Sequence, residues 1–248
     1  PGDHGGINMP NPYFHFKQFS IHQDRSAMKV CTDSCLFGAW VASMHHGDEQ
    51  VKYVLDIGAG SGLLGLMLAQ VMPAEIHAVE MDALSAKQAS ENIQASPWAD
   101  RISMHLEDIR MHHPLQAYDL ILSNPPFYET DLHSPDARIN QARHDTSLML
   151  GELLQVSGRL MAEHGKLYVL LPAGRWKDAE QYAAESGWHI NRVCTVRQTT
   201  NHQPFRVMLG LSKNDIQPTQ KEEIIIRNGD QQYSGRFAEL LSPYYQKL

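Results

Sequence analysis

Asn124-Pro125-Pro126-Phe127 is the segment of this chain best equipped for chemistry on a flat amino group. Asn124 offers a side-chain oxygen, and Pro125, lacking an N–H, presents only its carbonyl. Two acceptors converging on one point suit an –NH2 group with two hydrogens to donate. Phe127 adds an aromatic face on which a planar ring or amide can stack. The tetrapeptide follows the apolar run Tyr118-Asp119-Leu120-Ile121-Leu122-Ser123. That pattern reads as a buried strand stopped by a rigid loop. Parallel α/β sheets bind ligands at such carboxyl strand ends. The same residues also read as a plain strand-ending turn, where Asn and Pro are ordinary. The motif alone leaves both readings open.

A second constellation lies upstream, in Val54-Leu55-Asp56-Ile57-Gly58-Ala59-Gly60-Ser61-Gly62-Leu63-Leu64. It predicts a strand, a glycine-rich turn and a helix running to about Met72, stopped by Pro73. The glycines allow backbone to approach a ligand closely. No Gly-Lys-Ser/Thr follows, so this is not a Walker A loop. A dinucleotide site has to be weighed, but Asp56 would repel a pyrophosphate and attract a cationic group. A further strand, Ile76–Val79, ends at Glu80, an acid suited to accept from both ribose hydroxyls. Another, Ile102–Leu106, leads to Glu107-Asp108, where a carboxylate could accept from an adenine amino group. Ribose, adenine and a positive amino-acid tail together describe S-adenosylmethionine better than NAD.

The elements that must hold these residues alternate between strand and helix. A helix over about Asp82–Gln94, with Asp82 as N-cap, links the Glu80 strand to the Asp108 strand. Glu129 to Asp145 reads as a long substrate-facing loop. A helix over Leu148–Met161, ending near His164-Gly165, leads to a buried strand, Leu167–Leu171. A helix over Arg175–Ser186 ends at Gly187. Strands at His189–Val196 and Phe205–Leu211 form a closing antiparallel pair. A strand at Glu222–Arg227 and a short helix at Gly235–Leu241 complete the chain.

The order Asp-x-Gly-x-Gly-x-Gly, Glu, Asp, Asn-Pro-Pro-Phe looks like a class I S-adenosylmethionine-dependent methyltransferase that modifies amino groups. More closely, Phe14-His15-Phe16-Lys17-Gln18-Phe19 and Asp24-Arg25-Ser26-Ala27-Met28-Lys29-Val30 resemble the bacterial tRNA1(Val) (adenine-37-N6)-methyltransferase family. So do Thr32-Asp33, Gly38-Ala39-Trp40, Asn92-Ile93-Gln94-Ala95-Ser96-Pro97-Trp98-Ala99, Arg206-Val207-Met208-Leu209, Ile224-Ile225-Ile226-Arg227 and Tyr233-Ser234. The resemblance implies a Rossmann-like α/β fold, with a mostly parallel seven-stranded sheet, an antiparallel final strand, helices on both faces and small additions at each end. It implies N6-methylation of adenine next to the anticodon. Asn124, Pro125, Pro126 and Phe127 would be the catalytic set. Asp56, Gly58, Ala59, Gly60, Gly62, Glu80, Met81, Asp108, Ile109, Asn124, Lys29 and Thr32 would be the cofactor set. The family pattern Lys-Val-Gly-Thr-Asp-Gly is altered here, with Cys31 and Ser34 in the glycine places. Residues 1–13 are set aside from the fold. One domain spans 14–248, divided into an amino-terminal block 14–50, a core 51–213 and an extension 214–248.

Composition agrees with a soluble cytoplasmic enzyme. The 248 residues are 42% apolar, enough for a sizeable core. There is no 18-residue apolar run to span a membrane. The three cysteines have no zinc spacing and read as reduced packing residues. The adjacent pairs His45-His46 and His112-His113 point apart and read as solvated surface rather than as a chelate. No metal and no stable oligomer are expected. The net charge of −7 argues against broad nucleic-acid binding. However, His189 to Lys213 holds Arg192, Arg197, Arg206 and Lys213 with no acid. With Arg138 and Arg143 of the long loop, these arginines form the candidate contact to a tRNA anticodon stem-loop. Two rivals stay open: methylation of a protein glutamine amide, whose chemistry is nearly the same, and a non-catalytic RNA-binding module. The intact acids, glycines and Asn124 argue against the second.

Overall fold

The computed structural model describes residues 11–26, 29–125 and 149–248. Pro126, Phe127, Arg138, Arg143 and the loop expected over 129–145 lie outside the described residues.

Eight strands form one sheet: β3 (Tyr53–Ile57), β4 (Glu75–Glu80), β5 (Ile102–Leu106), β6 (Tyr118–Ser123), β7 (Met161–Pro172), β8 (His189–Arg197), β9 (Arg206–Ser212) and β10 (Gln220–Ile225). Their order is β10-β8-β9-β7-β6-β3-β4-β5. β9 runs antiparallel to both its neighbours, while β10 pairs parallel with β8. The expected seven-stranded sheet is therefore present with one antiparallel strand, and β10 extends it by an eighth. The central strands β3 and β6 are near-continuous buried runs because both sheet faces are covered there. Helices α1 (Thr32–Met44), α2 (Leu63–Ala69), α3 (Ala83–Gln94) and α6 (Gly235–Leu241) pack on one face. Helices α4 (Leu150–Leu160) and α5 (Trp176–Glu185) pack on the other. Asp82 caps α3 as expected, its carboxylate accepting from Ser85 N at 2.8 Å.

A small antiparallel hairpin, β1 (Tyr13–His15) and β2 (Ser20–His22), precedes α1. It corrects the expectation that the fold starts at Phe14. Tyr13 belongs to β1, and Gln23 N donates to the Pro12 carbonyl. The histidine reading also needs correction. His46 and His113 are exposed, but His45 and His112 are buried. His45 Nε2 lies 3.1 Å from Tyr168 Oη, and His112 Nε2 lies 2.7 Å from Tyr118 Oη. Each pair points apart, and one member finds a buried phenol.

Chain order places the site. β3, β4 and β5 run outward in sequence, then the chain returns to lay β6 on the other side of β3. The strand order reverses between the parallel neighbours β3 and β6, the position at which open α/β sheets leave a crevice for ligands.

Candidate active site

The glycine turn and Asn124 leave adjoining strand ends at that crevice. Ile57 and Ser123 are register partners, and Ser123 Oγ donates to the Ile57 carbonyl at 2.9 Å. Gly58 and Asn124 are therefore the next residues on two strands about 4.8 Å apart.

Gly58, Gly60 and Gly62 adopt left-handed φ of 71°, 55° and 81°, a region that side-chain-bearing residues rarely enter. A Cβ on Gly58 would meet nothing within 4 Å, so the turn is open above its backbone. Glu80 braces it. One carboxylate oxygen accepts from Gly60 N at 3.0 Å and the other from Asp82 N at 2.9 Å. Each oxygen keeps lone-pair capacity for a further donor. Beyond Glu80, Met81 is half exposed, and Ile109, just past the end of β5, is buried. Both suit the walls of an adenine site. Asp108 is partly engaged already: Oδ1 accepts from Arg110 N at 2.9 Å, and Oδ2 lies 3.0 Å from Arg110 Nη1. Lys29 Nζ donates to the Gln23 carbonyl, and Thr32 is exposed in the first turn of α1.

Asp56 does not face a ligand as the sequence reading expected. It is 0% exposed, tucked under the turn, where Oδ2 accepts from Gly65 N at 3.1 Å. Oδ1 has no hydrogen-bond partner among the described residues. Burial, and secondarily the Glu80 charge, push this carboxyl up to about 7. Its influence on a cationic ligand would act through the field, since a nearby cation favours the ionised form. The raised value makes a stability prediction. The folded carboxyl holds its proton more tightly than the unfolded one. Its contribution is therefore fully present below the unfolded pKa of 3.8 and is lost as pH rises through about 7. Asp56→Asn should flatten the fall of melting temperature with pH across that window, relative to wild type. Parallel melting curves for the two proteins would overturn the assignment.

Asn124 is half-buried, and its Nδ2 donates to Ser34 Oγ at 2.9 Å. The amide nitrogen points back to α1, which leaves Oδ1 as the end available to accept. Pro125 follows, buried. Ser34 was not foreseen as a partner of the motif. It lies 90 positions away, and no local pattern marks the pairing.

The three described arginines do not form one patch. Arg197 ends β8 and Arg206 begins β9, so both lie at the same sheet edge as Asn124. Arg206 is half consumed by a buried acid, its Nε lying 2.6 Å from Asp33 Oδ2. Arg197 pairs with Glu223 at 2.7 Å. Arg192 is register partner to Gly210, four residues along β9 from Arg206, roughly 13 Å from the edge. It also stands on the opposite sheet face from Arg197, because the two differ by an odd number of positions. There it lines a small pocket with Lys166, Tyr168 and Asp215.

Among the described residues no group of three or more His, Cys, Asp or Glu is placed to hold a metal, and no helix is long and apolar enough to cross a membrane.

The comparisons with known proteins agree with this geometry. Residues 41–173 match the family model of the methyltransferase small domain. A tRNA1(Val) (adenine(37)-N6)-methyltransferase of Tolumonas auensis is 40% identical over 95% of this chain and 97% of its own length. The protein of the same name from Cronobacter sakazakii is 41% identical over 94% of each chain. Among solved structures, a predicted O-methyltransferase from Agrobacterium tumefaciens superposes with a TM-score of 0.66 at 15% identity, covering 87% of this chain and 100% of its own. A class I S-adenosylmethionine-dependent methyltransferase from Listeria monocytogenes gives 0.56 at 16% identity, covering 82% and 68%. These two likenesses concern the fold alone. S-adenosylmethionine is the methyl donor that the class implies, and the open glycine turn beside the Glu80 carboxylate fits it. The fold, the strand-end site and full-length identity of about 40% lead to one statement: the chain belongs to the tRNA1(Val) (adenine(37)-N6)-methyltransferase family.

Proposed function

We propose that this protein transfers a methyl group from S-adenosylmethionine to N6 of an adenine beside the anticodon of tRNA, with tRNA1(Val) as substrate. The observation that carries the reading is the β3/β6 crevice. The glycine turn and Asn124 emerge side by side there, tied by the Ser123–Ile57 hydrogen bond. When bound, the cofactor supplies an electrophilic methyl on a sulfonium. Gly58, Ala59, Gly60, Gly62, Glu80, Met81, Asp108 and Ile109 would hold it, with Lys29 and Thr32 as further candidates, while the buried Asp56 would act on its charge from beneath the turn.

The adenine amino nitrogen is a poor nucleophile because its lone pair is spread into the ring. Asn124 Oδ1 and the Pro125 carbonyl accept its two hydrogens, which favours a pyramidal nitrogen and aims the lone pair. Phe127 holds the base flat by stacking. The base leaves the anticodon-loop stack at a cost of about a few kcal/mol. Once nitrogen has been methylated its proton is acidic and leaves to water, so no strong general base is required. Positioning and exclusion of water supply most of the acceleration.

The test is nucleoside mass spectrometry of tRNA from cells lacking the protein, together with methylation of unmodified tRNA by purified protein. N6-methyladenosine should vanish in the first and appear in the second. Transfer to a protein glutamine, with none to any adenine, would replace this reading by the amide one. The strand edge beyond Asn124 supports a phosphate contact at Arg197. Arg197→Gln should weaken tRNA binding and reduce the salt slope by about one phosphate equivalent, with cofactor binding intact. An unchanged slope would remove Arg197 from the interface.

A further inference from the structure

We propose that Asn92 is a positioning residue for the cofactor turn, and that it couples the turn to the amino-terminal hairpin. The inference rests on the reading of the glycine turn as the S-adenosylmethionine site. Asn92 lies in α3, is 1% exposed and belongs to none of the candidate sets above. Among the described residues its amide makes three hydrogen bonds, each of 2.9 Å. Oδ1 accepts from His22 N, and Nδ2 donates to the His22 carbonyl and to the Ser61 carbonyl. All three partners are backbone groups, whose roles as donor or acceptor are fixed. The amide therefore has one orientation, and both its hydrogens are used.

The Ser61 bond falls where the turn has least rigidity of its own. Ser61 stands between Gly60 and Gly62, two glycines at left-handed φ with wide backbone freedom. The 61–62 peptide is held at both its polar ends. Gly62 N donates to the Ala59 carbonyl at 2.8 Å, and the Ser61 carbonyl accepts from Asn92. Glu80 braces the Gly60 amide from the strand side, and Asn92 braces the 61–62 peptide from the helix side. A turn held in its bound shape before the ligand arrives loses less freedom on binding, and affinity rises accordingly.

The same amide reaches the hairpin. It takes both backbone groups of His22, the last residue of β2, much as a neighbouring strand would. One helical turn back, Gln88 Oε1 accepts from Arg25 N at 3.0 Å, and the Arg25 guanidinium pairs with Glu91 of α3. Positions 88 and 92 share a face of α3, so residues 22–25 cross the helix on two rungs. The chain then passes close to the turn: a Cβ on Gly60 would meet Ser26 Oγ at 3.9 Å. Hairpin, helix and turn thus meet at one buried amide. Coupling is reciprocal, so a ligand that stiffens the turn also stiffens β2.

The test follows both arms of the amide in wild type, Asn92→Ala and Gln88→Ala. Each protein is titrated with S-adenosylmethionine in a calorimeter. Amide hydrogen exchange is followed at His22 with and without saturating cofactor. Asn92→Ala should weaken binding about five- to tenfold, the scale of one net hydrogen bond. Gln88→Ala loses a buried amide from the other rung but keeps the Ser61 tie, and should bind cofactor nearly as wild type does. Cofactor should slow His22 exchange in wild type and in Gln88→Ala, and leave it unchanged in Asn92→Ala. Wild-type affinity in folded Asn92→Ala overturns the positioning role. Equal falls in affinity for both variants also overturn it, in favour of plain packing. Protection of His22 that persists in Asn92→Ala overturns the coupling. If Asn92→Ala does not fold, wild type decides alone, and His22 exchange that ignores saturating cofactor overturns the proposal. If wild type binds no S-adenosylmethionine, the reading of the turn has failed instead. The tie is then judged without ligand: Gly62 amide exchange should quicken in Asn92→Ala, and unchanged exchange overturns it.

Discussion

Asn124→Ala is expected to lower single-turnover methyl transfer by on the order of 10²–10³, the scale for removing one preorganised hydrogen-bonding group from a reacting centre. Cofactor affinity should stay nearly intact if, as proposed, Asn124 serves the substrate amine. The structure also sets what stability should do. Among the described residues Asn124 loses a single hydrogen bond, to Ser34, so unfolding free energy should fall by only about 1 kcal/mol. Asn124→Asp keeps an acceptor and should retain more activity than alanine, although its added charge disturbs a site built around a sulfonium. A purely structural asparagine predicts a different pattern, with both variants losing activity in proportion to the folded fraction. Stopped-turnover rates beside melting temperatures separate the two. Brisk transfer by a well-folded Asn124→Ala protein would end the acceptor role.

Glu80→Ala should weaken S-adenosylmethionine binding by about 1–3 kcal/mol, roughly five- to 150-fold, the range for losing hydrogen bonds to a charged group. The two backbone bonds made by the carboxylate, to Gly60 N and Asp82 N, add a second consequence. Its removal also releases the glycine turn, so affinity should fall toward the upper part of the range. Glu80→Gln can keep one acceptor on Gly60 and should fall between wild type and alanine. Titration calorimetry measures this directly. Unchanged affinity in a folded Glu80→Ala protein would remove Glu80 from the cofactor site.

Much of the fold was legible because its local signals agree. β5 and β6 have the boundaries that their apolar runs predict, and α6 spans Gly235–Leu241 as its pattern requires. The elements that differ were shaped by distant residues. α2 ends at Ala69 and not near Met72, where Arg101 donates to the carbonyls of Ala69, Met72 and Ala74. β7 begins at Met161, inside the stretch expected to end a helix, and meets β6 through a register shift between Tyr118 and Leu120. In the site, the glycine turn and Asn124 could be read because backbone freedom and acceptor chemistry reside in single residues. The burial of Asp56, the Ser34 contact and the Asp33–Arg206 pair depend on elements remote in sequence. The arginine cluster misled because nearness along a strand is not nearness on a surface: alternate residues of β8 face opposite sides.

The amino-terminal hairpin has a consequence for how the molecule is made. Phe16 pairs with Tyr245 and Lys17 N donates to the Tyr244 carbonyl, while Phe237, Leu240 and Leu241 of α6 join the core around α1. The Lys17 side chain reaches Ser242, 225 positions away. The apolar surface of α1, packed in part on α2, is therefore fully covered only after α6 has been synthesised. At about 5–20 residues per second, the nascent chain would carry that surface for roughly 10–40 s. Closure over α1 thereby waits for α6, with contacts of high sequence separation formed last.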